Sequence, residues 1–217
     1  MSLAHNIADH LLEIKAVRLN AEEPFTWASG LRSPIYCDNR KILSHPEIRK
    51  EIIRGFVEIS NQFQGIQAIA GVATAGIPWG ALLADVLNLP FVYVRNKAKD
   101  HGLKNRIEGE LNPGSKVLVV EDLVSTGGSS LDAIISLEES GHLVLGLISI
   151  FQYGFESARQ RFTEKNLQFV SLTDFPSLLE RALQAKYIEQ TTYENLLSWN
   201  KDPGKWSETF QLKKASL

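Results

Sequence analysis

The sequence predicts a doubly wound α/β protein on a mainly parallel sheet, with a small N-terminal lobe. Three observations lead there. Short, near-continuous apolar runs such as Ile66–Val72 (IQAIAGV), Val117–Val120 (VLVV) and Leu143–Phe151 (LVLGLISIF) read as strands buried on both faces. Segments with helical spacing separate them, the alternation that builds a parallel sheet. The chain has 217 residues, 44% of them hydrophobic and 22% charged, enough for one large domain with a sizeable core.

Taken in order, Ile7, Leu11 and Ile14 recur at i, i+4, i+7, so the N-terminus is expected to be a short amphipathic helix. Residues 17–43 carry Pro24, Gly30 and Pro34 among short apolar and aromatic pieces, which suggests a hairpin-like lobe. Ser44-His45-Pro46-Glu47 offers a capping box, and Ile48, Ile52, Phe56 and Ile59 follow on one helical face. A strand over Ile66–Val72, a small-residue loop (ATAGIPWG) and a helix over Trp79–Leu87 come next. Phe91–Val94 reads as a strand and residues 95–114, nearly free of apolar side chains, as a long loop. Val117–Val120 is a strand ending in Glu121-Asp122, and a helix from Leu131 stops before Gly141, a C′ glycine. The remainder is read as a strand over Leu143–Phe151, a helix over Phe155–Lys165, a last strand over Leu167–Ser171 and helix over 174–199. The tail from Lys201 is polar, with no readable pattern.

Composition excludes several function classes. The 23 Lys and Arg nearly balance the 25 Asp and Glu, so no nucleic acid or membrane partner is expected. No apolar run reaches the roughly 18 residues of a membrane span. Asp9, Glu13 and Lys15 interrupt the first apolar pattern, which argues against a signal peptide. The one cysteine, Cys37, cannot form an internal disulfide. The expectation is a cytoplasmic protein.

The chemistry concentrates in Val117–Ser130 (VLVVEDLVSTGGSS). An apolar strand brings two adjacent carboxylates to its C-terminal end, the edge where open α/β sheets bind ligands. Ser125, Thr126, Gly127 and Gly128 then place hydroxyls and open backbone at a helix N-terminus, which suits a phosphate dianion. The carboxylates repel that phosphate and fit an adjacent polyol or divalent metal, so the implied ligand is a sugar phosphate. The spacing matches neither GxxxxGK[ST] nor GxGxxG. A second concentration lies in residues 95–106. Arg95, Lys97, Lys99, Lys104 and Arg106 stand there with one acid, Asp100, whereas the average of 23 in 217 gives one or two cations per twelve residues. Read alone such a run is a solvated face. Next to the phosphate-binding strand it suits stabilisation of an anionic leaving group, where losing one charge costs on the order of 3 kcal/mol.

The Val117–Ser130 segment resembles the phosphoribosyl-pyrophosphate (PRPP) motif of type I phosphoribosyltransferases. FTWASGLRSPIYCDNR (Phe25–Arg40), AGVATAGIPWG (Ala70–Gly80) and VRNKAKDHGLKNRIEG (Val94–Gly109) extend the resemblance to the orotate phosphoribosyltransferases, over roughly residues 5–175. The resemblance implies a type I phosphoribosyltransferase core over 46–175, an N-terminal helix and hood lobe over 1–45, and a C-terminal helical segment over 176–217 packing on core or hood. It implies transfer of ribose 5-phosphate from PRPP to N1 of orotate with Mg²⁺, a step of UMP biosynthesis. It makes Lys99, His101 and Asp122 catalytic. PRPP would be bound by Arg95, Lys99, His101, Glu121, Asp122, Leu123, Val124, Ser125, Thr126, Gly127, Gly128 and Ser129, with Ser125 against orotate. Mg²⁺ would be held mainly by PRPP, with Glu121 and Asp122 as candidate partners. It further implies a homodimer in which loop 95–109 completes the neighbour's site.

Some readings stay open at this level. Ala73–Gly76 suits either close approach of a pyrophosphate or a tight strand–helix connection. In one branch of the family, cations stand where this chain has Ala28, Ala75 and Asn96. Arg32, Arg40 and Lys41 are the nearest substitutes, or are residues of the small lobe's surface and structure. Phe25, Trp27, Ile35 and Tyr36 read as packing, with an aromatic surface for a planar base as the rival. Rival functions are another type I phosphoribosyltransferase and a catalytically silent PRPP-sensing regulator.

Overall fold

A computed structural model describes residues 2–27, 29–96 and 106–215, and Lys99 and His101 lie outside them. The chain forms two compact units, one of Met1–Ser44 with Phe175–Leu217 and one of His45–Asp174.

In the first unit, α1 (Leu3–Glu13) buries Ile7 and Leu11 as the spacing predicts, with Ala8 and Leu12 beside them, while Ile14 is its half-buried C-cap; Ser2 caps the other end by accepting from the His5 N–H. Two short antiparallel pairs make the hairpin-like lobe. β1 (Val17–Leu19) pairs with β4 (Ile35–Cys37), and β2 (Phe25–Thr26) with β3 (Arg32–Ser33). A 3-10 turn over Asn39–Ser44 closes this part.

The second unit opens with α2 (Pro46–Ser60). His45, not Ser44, is its N-cap, and no side chain caps it, because Ser44 is already committed to the 3-10 turn. Ile52, Phe56 and Ile59 are buried along α2 as the spacing predicts. Then come β5 (Ala68–Val72), α3 (Gly76–Leu87), β6 (Phe91–Val94), β7 (Ile107–Glu108), β8 (Lys116–Val124), α4 (Gly128–Glu139), β9 (Leu143–Gln152), α5 (Glu156–Glu164) and β10 (Phe169–Asp174). The sheet order is β10-β9-β8-β5-β6-β7, parallel except for β7. This is the doubly wound, mainly parallel sheet expected.

Several strand boundaries differ from expectation, among them the start of β5, at Ala68 rather than Ile66, and the end of β9, at Gln152 rather than Phe151. Residues 95–114 include β7, a two-residue strand whose pairing is supplied by Tyr93 and Val94 across the ladder. β8 runs on to Val124, so Glu121 and Asp122 lie inside the strand rather than past it; pairing with β9 as far as Val124↔Gln152 sustains the extension. β10 starts later than Leu167 and runs to Asp174, where pairing with Gln152 ends.

After β10 the chain returns to the first unit. The predicted helix over 174–199 is two helices, α6 (Phe175–Gln184) and α7 (Gln190–Lys201), separated near Lys186, whose φ is +54°. The tail that read as patternless is helical, α8 (Pro203–Ala215). Asp202 accepts from the Lys205 N–H and Pro203 opens the helix, two start signals the sequence does contain. α8 is tied to the β2–β3 hairpin, with the Arg32 N–H donating to Ser207 Oγ at 3.0 Å.

Candidate active site

The site is built where β5, β6 and β8 end, at the carboxyl edge of the parallel strands. β8 carries Glu121 and Asp122. Glu121 is 5% exposed, and the Asp122 N–H donates to its Oε1 at 3.0 Å. Burial, then the neighbouring charge of Asp122, push the Glu121 carboxyl well above the usual carboxylate range. Asp122 is half-buried. Leu123 and Val124 finish the strand against Phe151 and Gln152.

Residues 125–127 then turn the chain into α4. Gly127 is the N-cap at φ +76°, a left-handed conformation that costs other residues roughly 1–2 kcal/mol. No side chain caps α4, so its first-turn N–H groups remain for an anion. Thr126 and Ser129 are exposed beside them, Ser125 and Gly128 half-buried. The turn thus presents uncapped donors and hydroxyls a few residues beyond two carboxylates, as the sequence implied.

The second wall is the β5–α3 connection. It follows a cis Ala73–Thr74 bond and starts α3 at Gly76. A Cβ on Gly76 would lie 2.5 Å from the Val120 carbonyl oxygen and 3.3 Å from Glu121 Cα. Gly71 and Gly80 continue the close approach, since a Cβ on Gly80 would stand 3.2 Å from Gly71 Cα. Close packing of helix on strand therefore requires these small residues. Ala73 and Thr74 also line a cavity of about 260 Å³ with Arg95 and Asn96, which puts Arg95 beside this connection. Arg95 is steadied by Glu108 (Nη1–Oε1 3.4 Å), and its N–H donates to the Arg106 carbonyl at 2.8 Å. Arg106 Nε returns a bond to the Arg95 carbonyl at 2.8 Å.

Among the described residues, then, Arg95, Glu121, Asp122 and the 123–129 segment lie at one sheet edge. Sequence reasoning missed a contact from α5: Arg161 Nη1 donates to the Thr126 carbonyl at 3.0 Å. Nothing local around Arg161 signals this, because the pairing spans 35 residues.

The lobe residues have partners of their own. Arg32 Nη1 donates to Thr26 Oγ1 at 2.9 Å and to the Pro24 carbonyl at 3.5 Å. Arg40 bonds Asp38 at 2.6 Å and thereby holds that carboxyl below its usual range. Lys41 Nζ donates to the Lys15 carbonyl at 3.1 Å. All three suggested substitutes for the missing cations are thus engaged in the lobe's structure. Arg18, which the sequence did not single out, sits over the Phe25 and Tyr36 rings at 5.1 and 5.2 Å. Trp27 meets Trp199 edge to face at 5.6 Å and donates to the Ile35 carbonyl. Ile35 is buried, whereas Phe25, Trp27 and Tyr36 pack on these partners and stay half-buried.

Fold and site together define a phosphoribosyltransferase, and residues 38–176 match the family model for the phosphoribosyl transferase domain. The chain is 53% identical over 205 residues to an orotate phosphoribosyltransferase of Bacillus pumilus, covering 93% of this chain and 97% of that one. It is 51% identical over 209 residues to that of Bacteroides fragilis, covering 94% and 97%. The crystal structure of orotate phosphoribosyltransferase from Aeropyrum pernix superposes with a TM-score of 0.74 at 30% identity, covering 84% of this chain and 99% of that one. The chain belongs to the orotate phosphoribosyltransferase family.

Proposed function

We propose that this chain transfers ribose 5-phosphate from PRPP to N1 of orotate, releasing diphosphate, in the cytoplasmic synthesis of UMP. The observation that carries the reading is β8, which places a buried and a half-buried carboxylate next to the uncapped, glycine-opened start of α4. In this reading Thr126, Gly127, Gly128 and Ser129 hold the 5-phosphate on helix N–H groups. Glu121 and Asp122 take the ribose hydroxyls, and Ser125 lies against orotate. Arg95 meets the diphosphate next to Ala73 and Thr74. Lys99 and His101 join it there, so that cations gather around the charge developing on the leaving group as the C1–O bond breaks. Cover over the site excludes the water that would hydrolyse PRPP.

The donor set fits Mg²⁺ carried by the substrate. Two adjacent carboxylates, Glu121 and Asp122, are what this ion commonly takes from a protein when phosphate oxygens supply most of its shell. Among the described residues no cluster of three or more His, Cys, Asp or Glu forms a separate metal site. Bound there, the ion would neutralise part of the diphosphate charge. A homodimer in which loop 95–109 completes the neighbour's site belongs to the same reading. The test is incubation with PRPP, Mg²⁺ and orotate, followed by orotate's ultraviolet absorption. A fall in absorption that requires all three is expected. PRPP binding without any such change would favour a regulator instead.

A further inference from the structure

We infer that Arg161 is a positioning residue for the 5-phosphate, acting through the main chain of the turn that holds it. The inference rests on the reading that residues 125–129 bind that phosphate.

Three observations converge on α5. First, Arg161 Nη1 donates to the Thr126 carbonyl at 3.0 Å, the one side-chain hydrogen bond it makes among the described residues. The Thr126–Gly127 bond is trans, and in a trans peptide the C=O and the following N–H point in opposite directions. Pulling the Thr126 carbonyl toward α5 therefore turns the Gly127 N–H away from α5. Second, the α5 side of the turn is closed. A Cβ on Gly127 would stand 2.7 Å from Phe162 Cζ and 3.7 Å from Ala158 Cβ, and Phe162 is 5% exposed. A phosphate must therefore approach from the side the Gly127 N–H faces. Third, Arg161 brings a positive charge to the start of α4, where Nη1 is 3.7 Å from the place a Cβ on Gly128 would take. That charge adds to the positive end of the helix. Arg161 itself sits in the last turn of α5, where a cation is favoured, and this helps hold it in place.

Arg161 thus orients a donor and raises the potential at one end of the substrate only. The 5-phosphate keeps its charge and contacts through the reaction, so such a residue acts on binding more than on the chemical step. For Arg161→Ala, KM for PRPP is expected to rise about fivefold with kcat within about twofold, the size of one charge-assisted hydrogen bond in a solvent-exposed setting. Arg161→Lys, which keeps the charge without the fixed fork, is expected to recover part of the loss.

The deciding measurement is calorimetric titration of the full chain with two probes, ribose 5-phosphate and pyrophosphate. Arg161→Ala should weaken ribose 5-phosphate about fivefold and leave pyrophosphate within about twofold. Equal weakening of both probes would mean general loss of folded protein, and unchanged ribose 5-phosphate affinity would mean no positioning role; either overturns the inference. Thr126→Asp separates this from the underlying reading, because a carboxylate on the turn repels a phosphate held there. If Thr126→Asp abolishes ribose 5-phosphate binding and Arg161→Ala does not change it, the inference alone falls. If Thr126→Asp binds ribose 5-phosphate like the parent, the turn is not the phosphate site and both fall.

Discussion

Two strand–turn–helix connections stand at the same sheet edge, and each depends on glycine for a different reason. At the β8–α4 turn, Gly127 is needed for its backbone conformation, φ +76°, with a ring beneath it. At the β5–α3 turn, Gly76 has an ordinary backbone and is needed for space, because the Val120 carbonyl fills the position of a side chain. The first turn is shaped to leave its N–H groups open. The second is shaped to bring a helix onto the neighbouring strand. Similar small-residue sequences, Thr-Ala-Gly and Thr-Gly-Gly, therefore encode a spacer-free contact in one case and a helix start without a side-chain cap in the other.

The comparison can be broken by substitution. Gly76→Ala is expected to have the largest effect, a loss of about 3 kcal/mol or a midpoint lower by roughly 10 °C, because the obstacle is main chain that cannot step aside. Thermal unfolding checks it, and a loss below about 1 kcal/mol would show that α3 can retreat. Gly127→Ala should cost less, about 1–2 kcal/mol from the left-handed backbone, plus the contact with Phe162. Here a side chain is the neighbour, so combining Gly127→Ala with Phe162→Leu should cost less than the sum of the two single changes. Strict additivity would put Gly127 in the same category as Gly76.

The smallest effect separates the turns by charge. The β8 edge carries the buried Glu121, whose carboxyl is raised by burial first and by Asp122 second. A raised carboxyl binds more protons folded than unfolded, so its contribution to stability falls as pH rises from the ordinary carboxylate range toward the folded value. Between about pH 5 and about pH 8 the parent should therefore lose more melting temperature than Glu121→Gln, which has nothing to titrate there. Equal slopes in the two proteins would mean that Glu121 is solvated after all. Asp38, held low by Arg40, has the opposite sign, and its stabilisation disappears only as acid protonates it.

How far the sequence reached follows from the range of the interactions. VLVV, the acidic pair and STGGSS were legible because each is a local signal: an apolar run, two charges, and the residues a helix start prefers. The far end of β8 was not legible, since its partner Gln152 lies 28 positions from Val124 and pairing alone decides where the strand stops. The steric need for Gly76 was not legible, since the Val120 carbonyl that fills its side-chain position lies 44 positions along the chain. α8 lacked a one-sided apolar face, so only the Asp202-Pro203 start announced it. For Arg32, Arg40 and Lys41 both readings stayed open in the sequence, because their partners, Thr26, Asp38 and the Lys15 carbonyl, are brought to them by turns.

The contact of Gly76 with the Val120–Glu121 main chain has a consequence for affinity. A ligand that spans two turns normally spends part of its interaction energy freezing their relative motion. Here the start of α3 lies against the main chain of β8 with no room for even a Cβ on Gly76, so the placement of the β5–α3 connection on that strand is completed during folding, before any ligand arrives. In the proposed reading, a diphosphate meeting the β5–α3 connection therefore finds it already seated on the strand that carries Glu121 and Asp122, and less of its interaction energy is spent on ordering that wall.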